Sequence, residues 1–220
     1  MTKYISLFTL IFSLTIATVA QDQAWTQAHN NFYESYLAGD SQGMLSASKT
    51  FKQLADKTPT NLPLVAEYLQ TRYSIVGFCM EGDCGIEVSD VLDDAIDYAE
   101  AKLKKDKSNA NLNAVYGGML GMKIGLSPMQ GMFLGPKSGR YVDKAFELDP
   151  GNPLAHMFSA FSSYNTPAMF GGSKEEGQQS FLKAATAFEK RGQTTHNWAY
   201  LDELAWNGIA LKKLGKTAEA

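Results

Sequence analysis

The sequence is poor in the residues that build catalytic and metal centres. Its 220 residues include only 2 Cys and 3 His, and it contains neither an H-E-x-x-H zinc motif nor a G-x-S-x-G nucleophile motif. His29, His156 and His196 fall on separate predicted repeats, and no nucleophile is paired with a base. We therefore predict that the protein is not an enzyme and binds neither a cofactor nor a metal.

An excess of positive charge is also missing. The chain has 20 Lys and Arg against 23 Asp and Glu, a net charge of -3. Because nucleic-acid binding requires basic surface to neutralise phosphates, we do not expect a nucleic-acid partner. The A-x4-G-K-T pattern at 210–217 does not change this, because a phosphate loop follows a strand and the segment before Gly215 has helical spacing.

No apolar run is long enough to cross a membrane, which takes about 20 residues. The longest such run lies within residues 1–20, where Lys3 precedes apolar residues up to Ile16 and small residues lead to Ala20. This pattern is typical of a secretory signal peptide. We predict cleavage after Ala20, a mature single domain at 21–220 without a stable membrane span, and a periplasmic or secreted location.

The two cysteines, Cys79 and Cys84, flank a predicted turn at Gly82-Asp83. In an exported protein such a pair is expected to form a disulfide. A zinc site would need a second pair of ligands. So short a closed loop would stabilise the turn more than the fold.

Helical periodicity is present along most of the chain. Glycine-containing turns recur about every 42 to 46 residues, a period typical of helical arrays, and no segment has the strict alternation of a strand. The clearest apolar stripe, with i, i+3, i+4, i+7 spacing, runs from Val88 to Leu103. We predict an all-α fold built from helix pairs.

The turn chemistry predicts several helix limits. Gly39 suits a left-handed helix end and Asp40 suits the cap of a helix at 41–57. Further helices are expected to begin near Asn109 and Asn152 and to span 174–190. We place Ser127, Pro128, Gly135 and Pro136 in a loop before a helix that ends at Leu148. Glycines at 117, 118, 121 and 125 put small residues on one helix face, which favours close packing.

Two junctions resemble those of the tetratricopeptide repeat (TPR) family. One reads Ala-Phe-Glu-Leu-Asp-Pro-Gly-Asn-Pro-Leu-Ala at 145–155, and the other reads Lys-Leu-Gly-Lys-Thr-Ala-Glu-Ala at 213–220. The units here are longer than the family's 34 residues. The stretch at 165–174, Asn-Thr-Pro-Ala-Met-Phe-Gly-Gly-Ser-Lys, is also similar to exported bacterial TPR-like proteins associated with TRAP-type solute transporters.

The resemblance implies a right-handed helical-hairpin solenoid of about four pairs plus a partial fifth. The first helix of an incomplete repeat cannot bury its inner face alone. We therefore expect either that Ala220 is not the natural end of the chain, or that a partner or a second copy covers the apolar stripe that begins at Trp198, which leaves homo-oligomerisation open.

The working hypothesis is an adaptor that binds a protein or peptide partner in the cell envelope, with the first helix of each pair lining a concave groove. Aromatic and Arg side chains supply contact energy at low ordering cost. On that ground the groove candidates are Tyr33, Tyr68, Arg72, Tyr116 and Trp198.

The alternative is a carrier for an apolar small molecule or lipid. It would use a cavity framed by the Met- and Gly-rich hairpin and by a loop whose candidate residues are Tyr164, Asn165 and Phe170. The methionines at 119, 122, 129 and 132 leave three readings open: core packing, contact with an apolar ligand or peptide, and Cu(I) ligation.

Overall fold

The computed structural model describes residues 21–80, 82 and 84–220. Within these residues the chain forms nine α-helices, two short 3-10 turns and no strand. The predicted signal peptide lies outside them. The helices are α1 (21–38), α2 (Ser41–Lys57), α3 (Leu62–Cys79), α4 (Val88–Leu103), α5 (Ala110–Leu126), α6 (Gly131–Leu148), α7 (Pro153–Asn165), α8 (Lys174–Lys190) and α9 (Trp198–Lys213).

The helices form four consecutive pairs, α1/α2 to α7/α8, followed by α9. The first helices of the pairs run parallel. At the N-terminal ends of α5 and α7, the Asn152 amide donates a hydrogen bond to the Asn111 carbonyl oxygen at 2.6 Å, and further along Gly118 packs on the ring of Phe158. The expected all-α helical-hairpin solenoid is confirmed.

Polar side chains at the predicted positions begin the helices. Asp40 accepts hydrogen bonds from the backbone N–H groups of Gln42 and Gly43, and Asn109 and Asn152 each accept one from the third residue after them. These caps satisfy N–H groups that have no partner inside the helix. Gly39 has a φ of 68°, so the preceding helix ends at a left-handed residue, as predicted.

The predicted loop at Gly135 and Pro136 is wrong, because both residues lie inside α6. Proline removes the N–H that would bond to the carbonyl four residues earlier, here that of Met132. Pro136 and Met132 are both exposed, so this carbonyl lies on the solvent side, where water can satisfy it. The helix therefore continues through the proline.

The predicted small-residue face of α5 allows close helix packing at two positions. An added Cβ would lie 2.8 Å from the Val142 side chain at Gly117 and 2.2 Å from the Phe158 ring at Gly118. At Gly125 it would meet no atom within 4 Å. Close approach thus explains the first two glycines, while Gly125 has open space around it.

We expect Gly118→Ala to lower the free energy of unfolding by about 1–3 kcal/mol, because the new methyl group overpacks the contact with Phe158. Gly125→Ala is the control and should raise it by up to about 1 kcal/mol, through helix propensity alone. Urea unfolding of both variants measures the difference. Equal effects at the two positions would contradict the packing model.

The last helix packs against the first and third. The indole N–H of Trp198 donates to the Ser74 hydroxyl at 3.1 Å, and the Trp198 ring centroid lies 4.5 Å from that of Phe32. The Tyr36 hydroxyl donates to the Asp202 carboxylate. Helices α1 and α3 thus cover Trp198, at the start of the apolar stripe, without an external partner. Leu204 and Ile209, farther along the stripe, are 44% and 43% exposed, so for them the need of a cover stays a prediction.

This closure turns the inner face of the array into core. Besides the α9 contacts, the Tyr73 ring of α3 packs edge-on against the Phe158 ring of α7, with centroids 4.9 Å apart. Side chains from α1 to α9 belong to one buried apolar cluster. Solvent-accessible grooves must therefore be sought on the outside. In the part of the chain that is described, no helix combines the length and apolar character that a membrane crossing requires.

Candidate binding surfaces

Two of the predicted groove residues lie in the contact between α1 and the start of α9. Trp198 is fully buried. The Tyr33 ring stacks on that of His196, with centroids 5.0 Å apart. Both side chains thus hold the closed array together, and the surface offered to a partner at this place is small.

Tyr116 is also buried, on α5. Its hydroxyl donates to Glu100 at 3.1 Å, and its ring packs edge-on against Tyr141. The Lys137 ammonium lies 5.3 Å from the ring centroid. Burial raises the pKa of the Tyr116 hydroxyl, Lys137 opposes the shift and Glu100 adds to it. Its contacts are thus made within the chain, between α4, α5 and α6.

Tyr68 and Arg72 come together in a groove on the outside of the array. The groove lies over α3 between α2 and α4, has a volume of about 620 Å³ and is open to solvent. We call it the outer groove. It is lined by Leu45, Ser48, Lys49, Lys52, Tyr68, Arg72, Asp94, Asp97 and Tyr98.

Charged groups close one end of the outer groove. Asp56 accepts from the Lys52 ammonium at 2.6 Å and from the Tyr98 hydroxyl at 2.8 Å. The hydrogen bond from Lys52 is the main cause that lowers the pKa of Asp56, with help from Tyr98. The Lys102 ammonium lies 4.8 Å from the Tyr98 ring centroid. Side chains of α2 and α4 thus meet across α3 at this end.

The other end of the outer groove is different, because its charges have no partners among the described residues. Lys49 and Arg72 lie towards α2 and α3, whereas Asp94 and Asp97 lie on α4, and none of the four belongs to an ion pair within 4 Å. The Nε atom of Arg72 is buried and has no hydrogen-bond acceptor.

A second surface is apolar and lies at the end of the array where α5 and α7 finish. Both helices lead there into a 3-10 turn, at Pro128–Gln130 and at Ala168–Phe170. Since α5 and α7 are parallel neighbours, the two turns lie at the same end. Five large apolar side chains there are 73% to 92% exposed. We call them the Met-Phe surface, and they are Met129, Met132, Phe133, Met169 and Phe170.

The loop candidates Tyr164, Asn165 and Phe170 have different environments. The Tyr164 ring packs against Phe181 and Trp206. The Asn165 amide donates to the backbone oxygen of Phe161 at 2.9 Å. Asn165 and Phe170 are both exposed, and Phe170 lies on the Met-Phe surface.

The sequence interpretation did not include Phe133 and Met169 among its candidates. Their signal was a Met-Phe dipeptide within two residues of a glycine, at 132–133 and 169–170. The same dipeptide at 157–158 lies inside α7 and is buried. Apolar residues in such turns have few neighbours to cover them. The four clustered methionines do not converge on one point, because Met119 is buried and Met122 packs near Gly77, whereas Met129 and Met132 face solvent.

Titratable groups surround the contact between α9 and the rest of the array. Burial is the main cause that raises the pKa of Asp202 to about 6, and the hydrogen bond from Tyr36 partly opposes it. Burial and the nearby Asp202 raise the pKa of Glu203 well above its ordinary range. Glu203 is fully buried, and neither of its carboxylate oxygens has a hydrogen-bond partner.

His29 bridges two acceptors in the same region. Its Nδ1 lies 2.7 Å from a Glu67 carboxylate oxygen, and its Nε2 lies 2.8 Å from the backbone oxygen of His196. A carbonyl and an ionised carboxylate can only accept, so these two contacts favour the protonated ring, in which both nitrogens donate. Burial opposes this charge, but Glu67 and the carbonyl outweigh it and raise the pKa of His29.

No group of three or more His, Cys, Asp or Glu side chains within the described ranges is arranged to hold a metal ion. The predicted disulfide between Cys79 and Cys84 is present. It joins the end of α3 to the segment before α4, at the same end of the array as the Met-Phe surface.

The chain matches no protein-family model. Nor does it match a curated protein. Among solved structures it is similar to the HusA haemophore from Porphyromonas gingivalis, with 16% identity, a TM-score of 0.59, and coverage of 86% of this chain and 94% of that one. At this identity the likeness concerns the fold.

Two more distant structures were also found. A thermophilic TPR protein, TTC0263 from Thermus thermophilus, has 12% identity, a TM-score of 0.46, and coverage of 89% of this chain and 94% of that one. The MamA protein has 15% identity, a TM-score of 0.36, and coverage of 90% and 96%. The paired helices with parallel first members make this chain a divergent TPR-like helical-repeat protein in fold.

Proposed function

We propose that the protein is a non-enzymatic adaptor that binds a partner protein in the cell envelope through its Met-Phe surface. The observation that carries the proposal is the exposure of five Met and Phe side chains in two 3-10 turns and in the first turn of α6, at one end of the array. Contiguous apolar surface on a soluble protein usually marks an interaction site. Methionine is common where such a surface must adapt to varied apolar partners.

The location of this surface supports a protein partner. Its side chains project from two turns and from the first turn of α6, whereas small-molecule sites are concave and enclose most of the ligand. The rigid helices α5, α6, α7 and α8 hold both turns in place, so the surface can be offered with little ordering cost. The inner face cannot take this role in the closed array, because α1, α3 and α9 pack together there.

Export is part of the proposal. The Cys79–Cys84 disulfide fits an oxidising compartment, as does the signal-like segment at residues 1–20. An association with a solute transporter is the narrower form of this proposal. It rests on the resemblance of residues 165–174, and these contain two of the five residues of the Met-Phe surface.

The test is site-specific crosslinking. We expect a photoreactive amino acid at 133 or 170 to give a discrete crosslinked protein in an envelope extract. The same probe at position 182 should give no crosslinked protein. The native Leu182 is 52% exposed on α8, so it serves as an accessible control. In a pull-down with the affinity-tagged protein, the double variant Phe133→Ser, Phe170→Ser should no longer capture the partner protein, whereas Leu182→Ser should still capture it. Both variants should have the melting temperature of the wild-type protein.

A captured protein must depend on the two phenylalanines. If capture survives the double substitution, or if position 182 crosslinks equally well, the Met-Phe surface is not the binding site. Recovery of lipid without any protein would contradict the adaptor.

A second candidate is a carrier of an apolar small molecule. Three exposed thioethers lie on the same surface as two phenyl rings, and together they could hold a flat apolar molecule. The structurally similar HusA protein is described as a haemophore, so haemin is a suitable probe. The carrier is favoured if haemin binds saturably to the protein and if Phe133→Ser and Phe170→Ser abolish this binding. If haemin does not bind, a haem carrier is excluded.

A further inference from the structure

We propose that the open half of the outer groove is a second binding site, for short peptides with free amino and carboxyl termini. This proposal concerns α2, α3 and α4 and does not depend on the Met-Phe surface. The carboxylate would bind at Arg72 and Lys49, and the ammonium group would bind at Asp94 and Asp97.

The first argument is the contrast between the two ends of the groove. Opposite charges pair at the closed end, where Lys52 and Asp56 are 2.6 Å apart. At the open end, Lys49 and Arg72 face Asp94 and Asp97 across the groove without any ion pair within 4 Å. A ligand that carries both charges can bridge these walls, whereas an anion or a cation alone satisfies only one.

The second argument is the arrangement of hydrogen-bond donors. Arg72 lines the groove and belongs to no ion pair within 4 Å, and its guanidinium group has only hydrogen-bond donors. Tyr68 lies one helical turn earlier, on the same face of α3, and its ring is buried. Burial raises the pKa of Tyr68, so the hydroxyl keeps its proton and can donate. A carboxylate supplies acceptors for both residues.

The third argument is size. The groove volume of about 620 Å³ lies within the range of small-molecule sites, roughly 300–1,000 Å³. Each residue of an extended peptide adds about 3.3 Å, so a tripeptide separates its terminal charges by about 10 Å. The Tyr68 and Tyr98 rings, 5.3 Å apart and edge to face, form a floor against which the peptide can pack.

Isothermal titration at low salt provides the test, with the tripeptide Ala-Leu-Ala, its C-terminal amide and its N-acetyl form. We expect the free tripeptide to bind saturably, and each blocked form to bind at least about tenfold more weakly, because it loses one charge-assisted contact. Arg72→Met should reduce the difference in affinity between the free acid and the amide, because Lys49 alone remains to bind the carboxylate, and it should keep the difference between the free and the acetylated peptide. The double variant Asp94→Asn, Asp97→Asn should remove the difference in affinity between the free and the acetylated peptide, but it should keep the difference between the acid and the amide.

Arg140→Met serves as the control, because Arg140 is an exposed residue on α6 outside the groove. It should leave all three affinities unchanged. If Arg72→Met does not fold, Lys49→Met tests the same wall through an exposed side chain. The proposal is overturned if the free tripeptide shows no saturable binding, if the three forms bind alike, or if free alanine binds as well as the tripeptide.

Discussion

Replacing Trp198 by Ala should lower the free energy of unfolding by about 3–5 kcal/mol, as expected for removal of a large buried aromatic side chain. The ring contacts Phe32 of α1 and is hydrogen-bonded to Ser74 of α3. Its loss therefore removes packing between segments far apart in the chain. Urea unfolding followed by circular dichroism measures the effect.

Trp198→Phe is the matched control. It keeps an aromatic ring against Phe32 but removes the donor to Ser74, so we expect a loss of only about 1–2 kcal/mol. Trp206 is only partly buried, in a smaller cluster with Phe161 and Phe181, and its replacement by Ala should cost less than that of Trp198. If Trp198→Ala were no more harmful than Trp206→Ala, α9 would not be an integral part of the core.

Replacing Glu203 by Met should stabilise the protein at about pH 8, by about 1–3 kcal/mol, because it removes a buried carboxylate without a hydrogen-bond partner. Methionine fills a similar volume with apolar atoms. The gain should shrink at about pH 5, where Glu203 is protonated in the folded protein and the cost of burying its charge disappears.

The direction of the pH dependence follows from the pKa shifts. The pKa values of Asp202, Glu203 and His29 are all raised in the folded state. A raised folded pKa means that the stabilisation is present at low pH and is lost as the pH rises through that value. These three groups should therefore weaken the α9 contact as the pH rises, and the share of Asp202 should be lost between about pH 4 and about pH 6. Burial lowers the pKa of His156, so this residue has the opposite effect near neutrality.

A comparison of variants separates these contributions. Between about pH 5 and pH 8 the free energy of unfolding should fall less in Glu203→Met than in the wild-type protein. In His156→Gln the contribution of Glu203 to this decrease should be unchanged. The free energy of unfolding from urea titrations at the two pH values measures these differences. An equal gain from Glu203→Met at both pH values would show that Glu203 is not buried as a charge.

Local chemistry explains why the helices could be predicted so closely. Asp40, Asn109 and Asn152 cap helices through hydrogen bonds to residues two or three positions away, and such interactions are readable from short segments. Pro136 shows the limit of local rules. Its helix-breaking effect depends on whether the freed carbonyl can reach water, and that is decided by which face of α6 is exposed.

The candidate sites were harder to predict because they depend on the curvature of the array. Trp198 has the sequence signature of a groove residue, but its partners Phe32 and Ser74 are far away in sequence, and only the curl of the array brings them together. Tyr68 and Arg72 were identified individually. Their position on the outside of the array, opposite Asp94 and Asp97, follows from how α2, α3 and α4 pack, which no spacing rule encodes.

The contact between α9 and α1 also limits how this chain can change in length. In an open solenoid each repeat touches only its neighbours, so a hairpin can be inserted without disturbing the ends. Here an extra hairpin between α2 and α7 would carry α9 away from Phe32 and Ser74 and leave Trp198 uncovered. The number of hairpins is therefore fixed by geometry, and the first hairpin and α9 are expected to unfold together.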